Sequence, residues 1–183
     1  HEYIDPVRFI TNKSSGKQGF ALAKSLINKG FETTLITGPT NFEADNNINL
    51  IKVETADQMF KATQENLPVD VAIFSAAVSD FKSKKQINTK IKKQESMSLN
   101  LEKNVDILNY VSNHNSLRPK LVIGFAAETN DLKKNAQKKL IEKNCDWIIA
   151  NDVSNKLIGF DSDFNEVSIF YKNKINYNEK LTI

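Results

Sequence analysis

Five short apolar runs, separated by stretches of helical period, constrain this chain more than any other feature of it. They are ETTLIT (32–37), INLIKVE (48–54), VDVAIFSA (69–76), KLVIGFAA (120–127) and DWIIAN (146–151). Each has the length of a strand buried on both faces and is too short for a buried helix. Between them, apolar residues recur every three to four positions. A helix is predicted from Ser15 to Lys29, with Phe20, Ala23, Leu26 and Ile27 on one face and Gly30 as its stop. Others follow Thr55 (ADQMFKATQEN), start at Asp106 (DILNYVSN) and start at Asp131 (DLKKNAQKKLIEKN). The pattern is that of an α/β, Rossmann-like, doubly wound and mostly parallel sheet, whose ligands bind at the carboxyl ends of the strands. From Val167 onward the tail alternates like a terminal hairpin. Such a domain ordinarily opens with a strand feeding its first phosphate-binding turn. Only a few residues precede that turn here, so either the first strand is expected outside this chain or the fold departs from that plan.

A length of 183 residues with 40% apolar content suits one well-buried core, and no repeat or linker divides it, so a single domain over 1–183 is expected. No stretch of about 18 apolar residues and no secretory signal pattern is present, which reads as a soluble, cytoplasmic chain without a membrane partner. A net charge of +3 is too small for a nucleic-acid binder. With Cys145 alone, an intramolecular disulfide and a Cys-rich metal site are excluded; with only His1 and His114, histidine-centred catalysis is disfavoured. Of 25 basic residues only Arg8 and Arg118 are arginine. In a lysine-biased chain an arginine marks a place that needs a planar fork of donors.

Three stretches bear on chemistry. RFITNKSSGKQG (8–19) lies between an apolar start and a helix. It is not a P-loop, because Lys17 is followed by Gln18 and no glycine stands five residues before Gly16; of the dinucleotide fingerprint it keeps only Gly16 and Gly19. What it offers is Ser14 and Ser15 as helix caps, close approach at Gly16, and helix amides that favour an anion. An ordinary Ser-capped helix is an equal reading. FKSKKQINTKIKKQ (81–94) carries six lysines and no acid. It reads as a solvated charge run or as a mobile flap, about 81–97, closing on a polyphosphate. Strand-end segments SAAVSD, GFAAET and ANDVS place Asp80, Glu128, Asn151 and Asp152 at the edge where ligands bind, although Phe125 by spacing alone belongs to the core and Asp152 also fits a turn cap. Lys139 and Lys143 are four apart and share a helix face.

Taken in order, DPVRFITNKSSGKQG, SAAVSDF, KIKKQ, NVDIL, GFAAET, ANDVS and GFDSDFNEV resemble bacterial phosphopantothenoylcysteine synthetase, the phosphopantothenate–cysteine ligase that is commonly the C-terminal half of a bifunctional coenzyme A biosynthesis protein. The resemblance spans nearly the whole chain. It implies a Rossmann-like homodimer that uses CTP and a divalent cation, usually Mg²⁺, to join 4'-phosphopantothenate to L-cysteine through an acyl-cytidylate, releasing pyrophosphate and then CMP. It assigns Lys90 to CTP binding and activation, and Asn12, with Arg8 beside it, to processing of the acyl-cytidylate. Phe74, Ser75, Ala76, Asp80, Val105, Asp106, Ile107, Leu108, Phe125, Lys139 and Lys143 match nucleotide contacts, and Arg8, Asn12, Ser14, Ser15 and Gly16 match substrate or phosphate contacts. Metal ligands stay unassigned. The family commonly has proline where Val105 stands, and a Gly-Gly-Thr turn and a flavin-dependent decarboxylase half before the segment that starts here at His1, which suggests an excised or monofunctional synthetase. Two readings compete. One is an NAD(P)-dependent short-chain reductase, which lacks its Tyr-x-x-x-Lys pair because the fourth residue after Tyr110 is His114. The other is a non-catalytic nucleotide-sensing module.

Overall fold

The structure, a computed structural model, describes residues 1–93, 95–154, 166–172 and 174–182. In chain order the elements are β1 (Glu2–Asp5), β2 (Arg8–Ile10), α1 (Lys17–Asn28), β3 (Thr34–Thr37), β4 (Asn49–Lys52), α2 (Ala56–Glu65), β5 (Val71–Phe74), β6 (Phe81–Ser83), β7 (Leu101–Lys103), α3 (Ile107–Ser112), β8 (Leu121–Glu128), α4 (Leu132–Glu142), β9 (Trp147–Asp152), β10 (Glu166–Tyr171) and β11 (Lys174–Thr182). They form two compact units, one of residues 1–65 and 76–106, the other of residues 66–75 and 107–183.

The second unit holds a five-stranded sheet in the order β11-β10-β9-β8-β5. β5, β8 and β9 are parallel, while β10 runs antiparallel to β9 and β11 antiparallel to β10. The expected parallel strands and terminal hairpin are thus both present. The strand runs are apolar because the sheet is packed: Val122, Ala126, Ile148, Ala150 and Phe170 are buried together with Leu108, Cys145 and the α4 residues Ala136 and Leu140. In α4, Leu132, Ala136 and Leu140 recur every four residues, which turns one face to this core and leaves Lys133, Lys134 and Lys138 exposed.

Gly124 sits at a tight point of that core. A Cβ there would stand 2.8 Å from Leu108 Cδ2 and 2.9 Å from Ile148 Cδ1. Gly124→Ala should therefore lower stability by about 1–3 kcal/mol through overpacking, less the few tenths that alanine gains by restricting the unfolded chain. Urea unfolding of the variant reads this out, and an unchanged midpoint would mean that Leu108 and Ile148 repack freely.

In the first unit, β3 and β4 pair in parallel as their own two-stranded ladder, and β1–β2 and β6–β7 are two antiparallel pairs that no sequence period announced. Helix α1 buries Phe20 and Ala23 with Leu26 and Ile27 half-buried, the face expected for it. It ends in a Schellman turn: Gly30, at φ +86°, donates to Ile27 O and Phe31 N donates to Leu26 O, at 2.9 and 3.1 Å. Helix α2 opens on a reciprocal capping box, in which Gln58 N donates to Thr55 Oγ1 (3.2 Å) and Thr55 N donates to Gln58 Oε1 (3.3 Å). The Ala56 N–H is taken up separately by the buried Glu2 carboxylate at 2.7 Å. No helix among the described residues is long and apolar enough to cross a membrane.

Candidate active site

In the first unit, the strand β2 carries Arg8 and hands the chain to the loop of Asn12, Ser14, Ser15 and Gly16. Asn12 is exposed, and its Nδ2 donates to Val78 O at 3.0 Å, which ties the loop to the 76–80 segment of Ala76 and Asp80. That segment is tied in turn to the residue after β7, since Asn104 N donates to Asp80 O and Asn104 Nδ2 to Ser79 O, both at 2.9 Å. Ala76, Asp80, Lys90, Val105 and Asp106 are all exposed.

The helix cap differs from the expectation. The N-cap of α1 is Gly16, at φ +82° and with no side-chain cap, whereas Ser14 Oγ and Ser15 Oγ accept from the N–H groups of Gly16 and Lys17 at 3.4 Å. The left-handed turn explains this: it needs the residue without a Cβ, and a Cβ here would also meet Thr40 Oγ1 at 3.3 Å. Thr40 Oγ1 in turn donates to Ser15 O at 3.0 Å.

The expected flap starts on β6, which pairs with β7 only at Leu101–Lys103, past the flap's end, so its 81–83 portion is strand rather than loop. Its Gln94 lies outside the described residues, as does the GFDSDFNEV motif from Gly159 to Asn165. The peptide of Ile91, between Lys90 and Lys92, is docked at both ends. Its N–H donates to Asp5 Oδ2 at 3.1 Å, and its carbonyl accepts from Arg8 Nη1 and Nη2 at 3.4 Å. Arg8 Nη1 also pairs with Asp5 Oδ2. Beside this junction lies a cavity of about 180 Å³ lined by Arg8, Ile91, Lys92, Lys93 and Met97.

Asp5 is the residue the sequence reading passed over. It is fully buried, and Oδ1 accepts from the N–H groups of both Val7 and Arg8 at 2.9 Å, closing the turn between β1 and β2. Burial alone would raise its carboxyl; the N–H groups of Val7 and Ile91, with the Arg8 guanidinium, outweigh burial and hold it below the usual carboxylate range. The signal for it was the Asp5-Pro6 dipeptide, a turn initiator.

In the second unit, Phe74 packs against the core at the end of β5, paired in register with Gly124, and Ser75 follows it half-buried. Ile107 and Leu108 are 6% and 9% exposed, so their side chains are core. Phe125 is half-buried, on the face of β8 opposite Val122 and Ala126, and its carbonyl accepts from Lys139 Nζ at 2.7 Å. Lys143 closes α4, and its carbonyl accepts from the Ser112 hydroxyl. Asp152 makes the turn cap: Oδ1 accepts from Ser154 N and Oγ at 2.8 and 2.6 Å, and these two bonds hold its carboxyl below the usual range. Glu128 accepts from Asn135 Nδ2 at 3.0 Å. Among the described residues, no group of three or more His, Cys, Asp or Glu is placed to hold a metal ion.

Parallel strands joined by helices, with a glycine-led helix start and a lysine-bearing segment docked on an arginine–carboxylate pair, define an α/β protein. The chain belongs to the DNA/pantothenate metabolism flavoprotein C-terminal domain family, whose pattern it matches over residues 1–182. It is 42% identical over 178 residues to the coenzyme A biosynthesis bifunctional protein CoaBC of Borreliella burgdorferi, an overlap that takes in 95% of this chain and 44% of that one. The chain therefore spans less than half the length of that relative. Among solved structures, the C-terminal domain of a coenzyme A biosynthesis bifunctional protein CoaBC superposes with a TM-score of 0.76 at 36% identity, over all of this chain and 80% of that one. A DNA/pantothenate metabolism flavoprotein from Streptococcus pneumoniae superposes at 0.82 with 27% identity, over 99% and 87% of the two chains.

Proposed function

We propose that this chain is a phosphopantothenate–cysteine ligase domain of coenzyme A biosynthesis, acting as one catalytic domain in a cytoplasmic homodimer. A carboxylate oxygen of 4'-phosphopantothenate attacks the α-phosphorus of CTP and pyrophosphate leaves. The amine of L-cysteine then attacks the acyl carbon of the acyl-cytidylate, CMP departs, and the ammonium proton is lost to solvent as the amide forms. Both steps gather negative charge on phosphate oxygens, so fixed cations matter more than an acid–base imidazole.

One observation carries the reading: Arg8 is hydrogen-bonded to Ile91 beside Lys90, and Asn12 is held in the same unit by the Val78 carbonyl, next to Asp80 in the chain, so the residues whose family counterparts handle CTP and the acyl-cytidylate are fixed within one unit. In this reading Lys90 meets the triphosphate, while Asn12 and Arg8 hold the acyl-cytidylate as the amine approaches. Gly16 and the serines before it cradle a phosphate. The family likeness assigns Phe74, Ser75, Ala76, Asp80, Val105 and Asp106, with Phe125, Lys139 and Lys143, to the nucleotide, and the buried Ile107 and Leu108 would serve through their main chain. Mg²⁺ fits this donor set as an ion carried in on the triphosphate, which asks the protein for only one or two carboxylates. Asp80 and Asp106 are the exposed carboxylates among the nucleotide residues that would suit that role, and the ion would supply neutralisation of phosphate charge.

Pyrophosphate release with CTP, ATP, GTP and UTP side by side tests this. Release is expected with CTP and only in the presence of 4'-phosphopantothenate, persisting for a single turnover without cysteine. Independence from the acid substrate would reject the reading, and tight CTP binding without turnover would favour a sensing module.

A further inference from the structure

The ligase reading gives Asp5 no part, yet its buried carboxylate is saturated: two turn N–H groups occupy Oδ1, and Arg8 with the Ile91 N–H occupies Oδ2. Oδ1 is spent on the local turn. Oδ2 reaches 86 residues along the chain to the middle of the lysine-rich segment. We propose that Asp5 is a positioning residue that docks the Ile91 peptide and so sets where Lys90, Lys92 and Lys93 are presented to the nucleotide.

The physical case rests on what those lysines do without an anchor. Lys90, Lys92 and Lys93 are exposed and of one charge, so they repel and drive the segment outward. Ordering it only when the triphosphate arrives would set its conformational-entropy cost against binding. Docking Ile91 beforehand on a buried carboxylate and an arginine fork meets that cost on folding rather than on binding, which is preorganisation. The geometry suits the task, because the docked residue has a lysine on each side. Its N–H is directed to Asp5 and its C=O to Arg8, so the two peptide groups that flank the Ile91 Cα are each held by one bond partner. The cavity beside it is walled by Arg8, Lys92 and Lys93, three cations whose spacing depends on that dock.

The inference rests on the ligase reading only for what Lys90 does; the docking itself is tested without turnover. In the unaltered chain, native-state hydrogen exchange should show the Ile91 amide protected about a hundredfold or more over an unstructured peptide. Asp5→Asn should lower that protection and speed tryptic cleavage after Lys90, Lys92 and Lys93 about tenfold under native conditions. It should also raise the apparent KM for CTP about tenfold and leave that for cysteine unchanged, a split that a general loss of structure would not give. Because Asp5 also closes the turn, Ile91→Pro is the second variant: it deletes the docked N–H, leaves Asp5 and the turn in place, and should free Lys92 and Lys93 for cleavage to the same extent. An unprotected Ile91 amide in the parent, or cleavage rates in Ile91→Pro equal to those of the parent, would overturn the proposal. Failure of the ligase reading would look different: the parent would show no CTP-dependent pyrophosphate release while the exchange and cleavage results stood.

Discussion

Lys90→Ala should remove CTP-dependent pyrophosphate release, by at least the 10²–10³-fold typical of deleting one charge-stabilising group from an active site. The side chain is exposed, so the deletion opens no cavity and breaks no packing, and stability should stay within about 0.5 kcal/mol of the parent. That separation makes the result interpretable: a dead, fully folded variant puts Lys90 on the reaction. Asn12→Asp should fail differently. Asn12 Nδ2 donates to Val78 O, and a carboxylate cannot, so the aspartate meets a carbonyl oxygen with no proton between them. It also brings negative charge to where an acyl-phosphate is to be held. Activation should then proceed while the second half-reaction stalls. Rapid quench followed by mass spectrometry should find the acyl-cytidylate accumulating in Asn12→Asp and absent in Lys90→Ala. Two variants that both behave like the parent would mean the roles are misassigned.

Arg118→Ala carries the largest expected effect on stability. The guanidinium donates to Ser112 O (2.8 Å), Pro119 O (2.9 Å), Asn144 O (3.2 Å) and both oxygens of Asp146 (3.1 and 3.0 Å). Asp146 Oδ2 also accepts from Val122 N at 2.8 Å, so the fork holds the carboxylate that starts β8. Each side chain of the pair is 26% exposed, sheltered enough that water replaces the lost donors poorly. Removing the fork leaves several acceptors short of a donor, and a loss of about 2–4 kcal/mol is expected in urea unfolding. Arg118→Lys should recover less than half of it, since one ammonium cannot reach carbonyls and carboxylate in the arginine's several directions. Full recovery by lysine would show that charge alone matters there. The sparse arginines thus mark fork sites in both units, one on Asp5 and the Ile91 carbonyl, the other on Asp146 and three carbonyls.

The residues that announced themselves in the sequence are those whose environment is uniform along an element. β8 and β9 read as strands because nearly every position is apolar, with Val122, Ala126, Ile148 and Ala150 buried in the core and Phe125, Trp147 and Ile149 half-buried on the other face. α4 read as a helix because Leu132, Ala136 and Leu140 repeat along one face. Short paired strands gave no such signal. In β6–β7 the residues Leu101, Glu102 and Lys103 are all exposed, and β2 is three residues long with Phe9 43% exposed, so neither needs an alternating pattern. Their position comes from single contacts across long chain separations, of which Ile91 N to Asp5 is the plainest, and no local period encodes a partner 86 residues away. Motif order could point to Arg8, Asn12 and Lys90 as chemistry-bearing residues. It could not say that a carboxylate three residues before Arg8 joins the first to the last.

Cys145, the chain's one thiol, lies in the middle of the second unit's core with no exposed surface, and its burial pushes the thiol up to about 11. At neutral pH it is neither ionised nor reachable, so the native fold is silent toward maleimides and other thiol reagents. A cysteine introduced on the exposed lysine-rich segment, at Lys84 for instance, would be the one reactive sulfur in the folded chain. A spin label or fluorophore attached there, with no background to subtract, would follow that segment directly as nucleotide arrives.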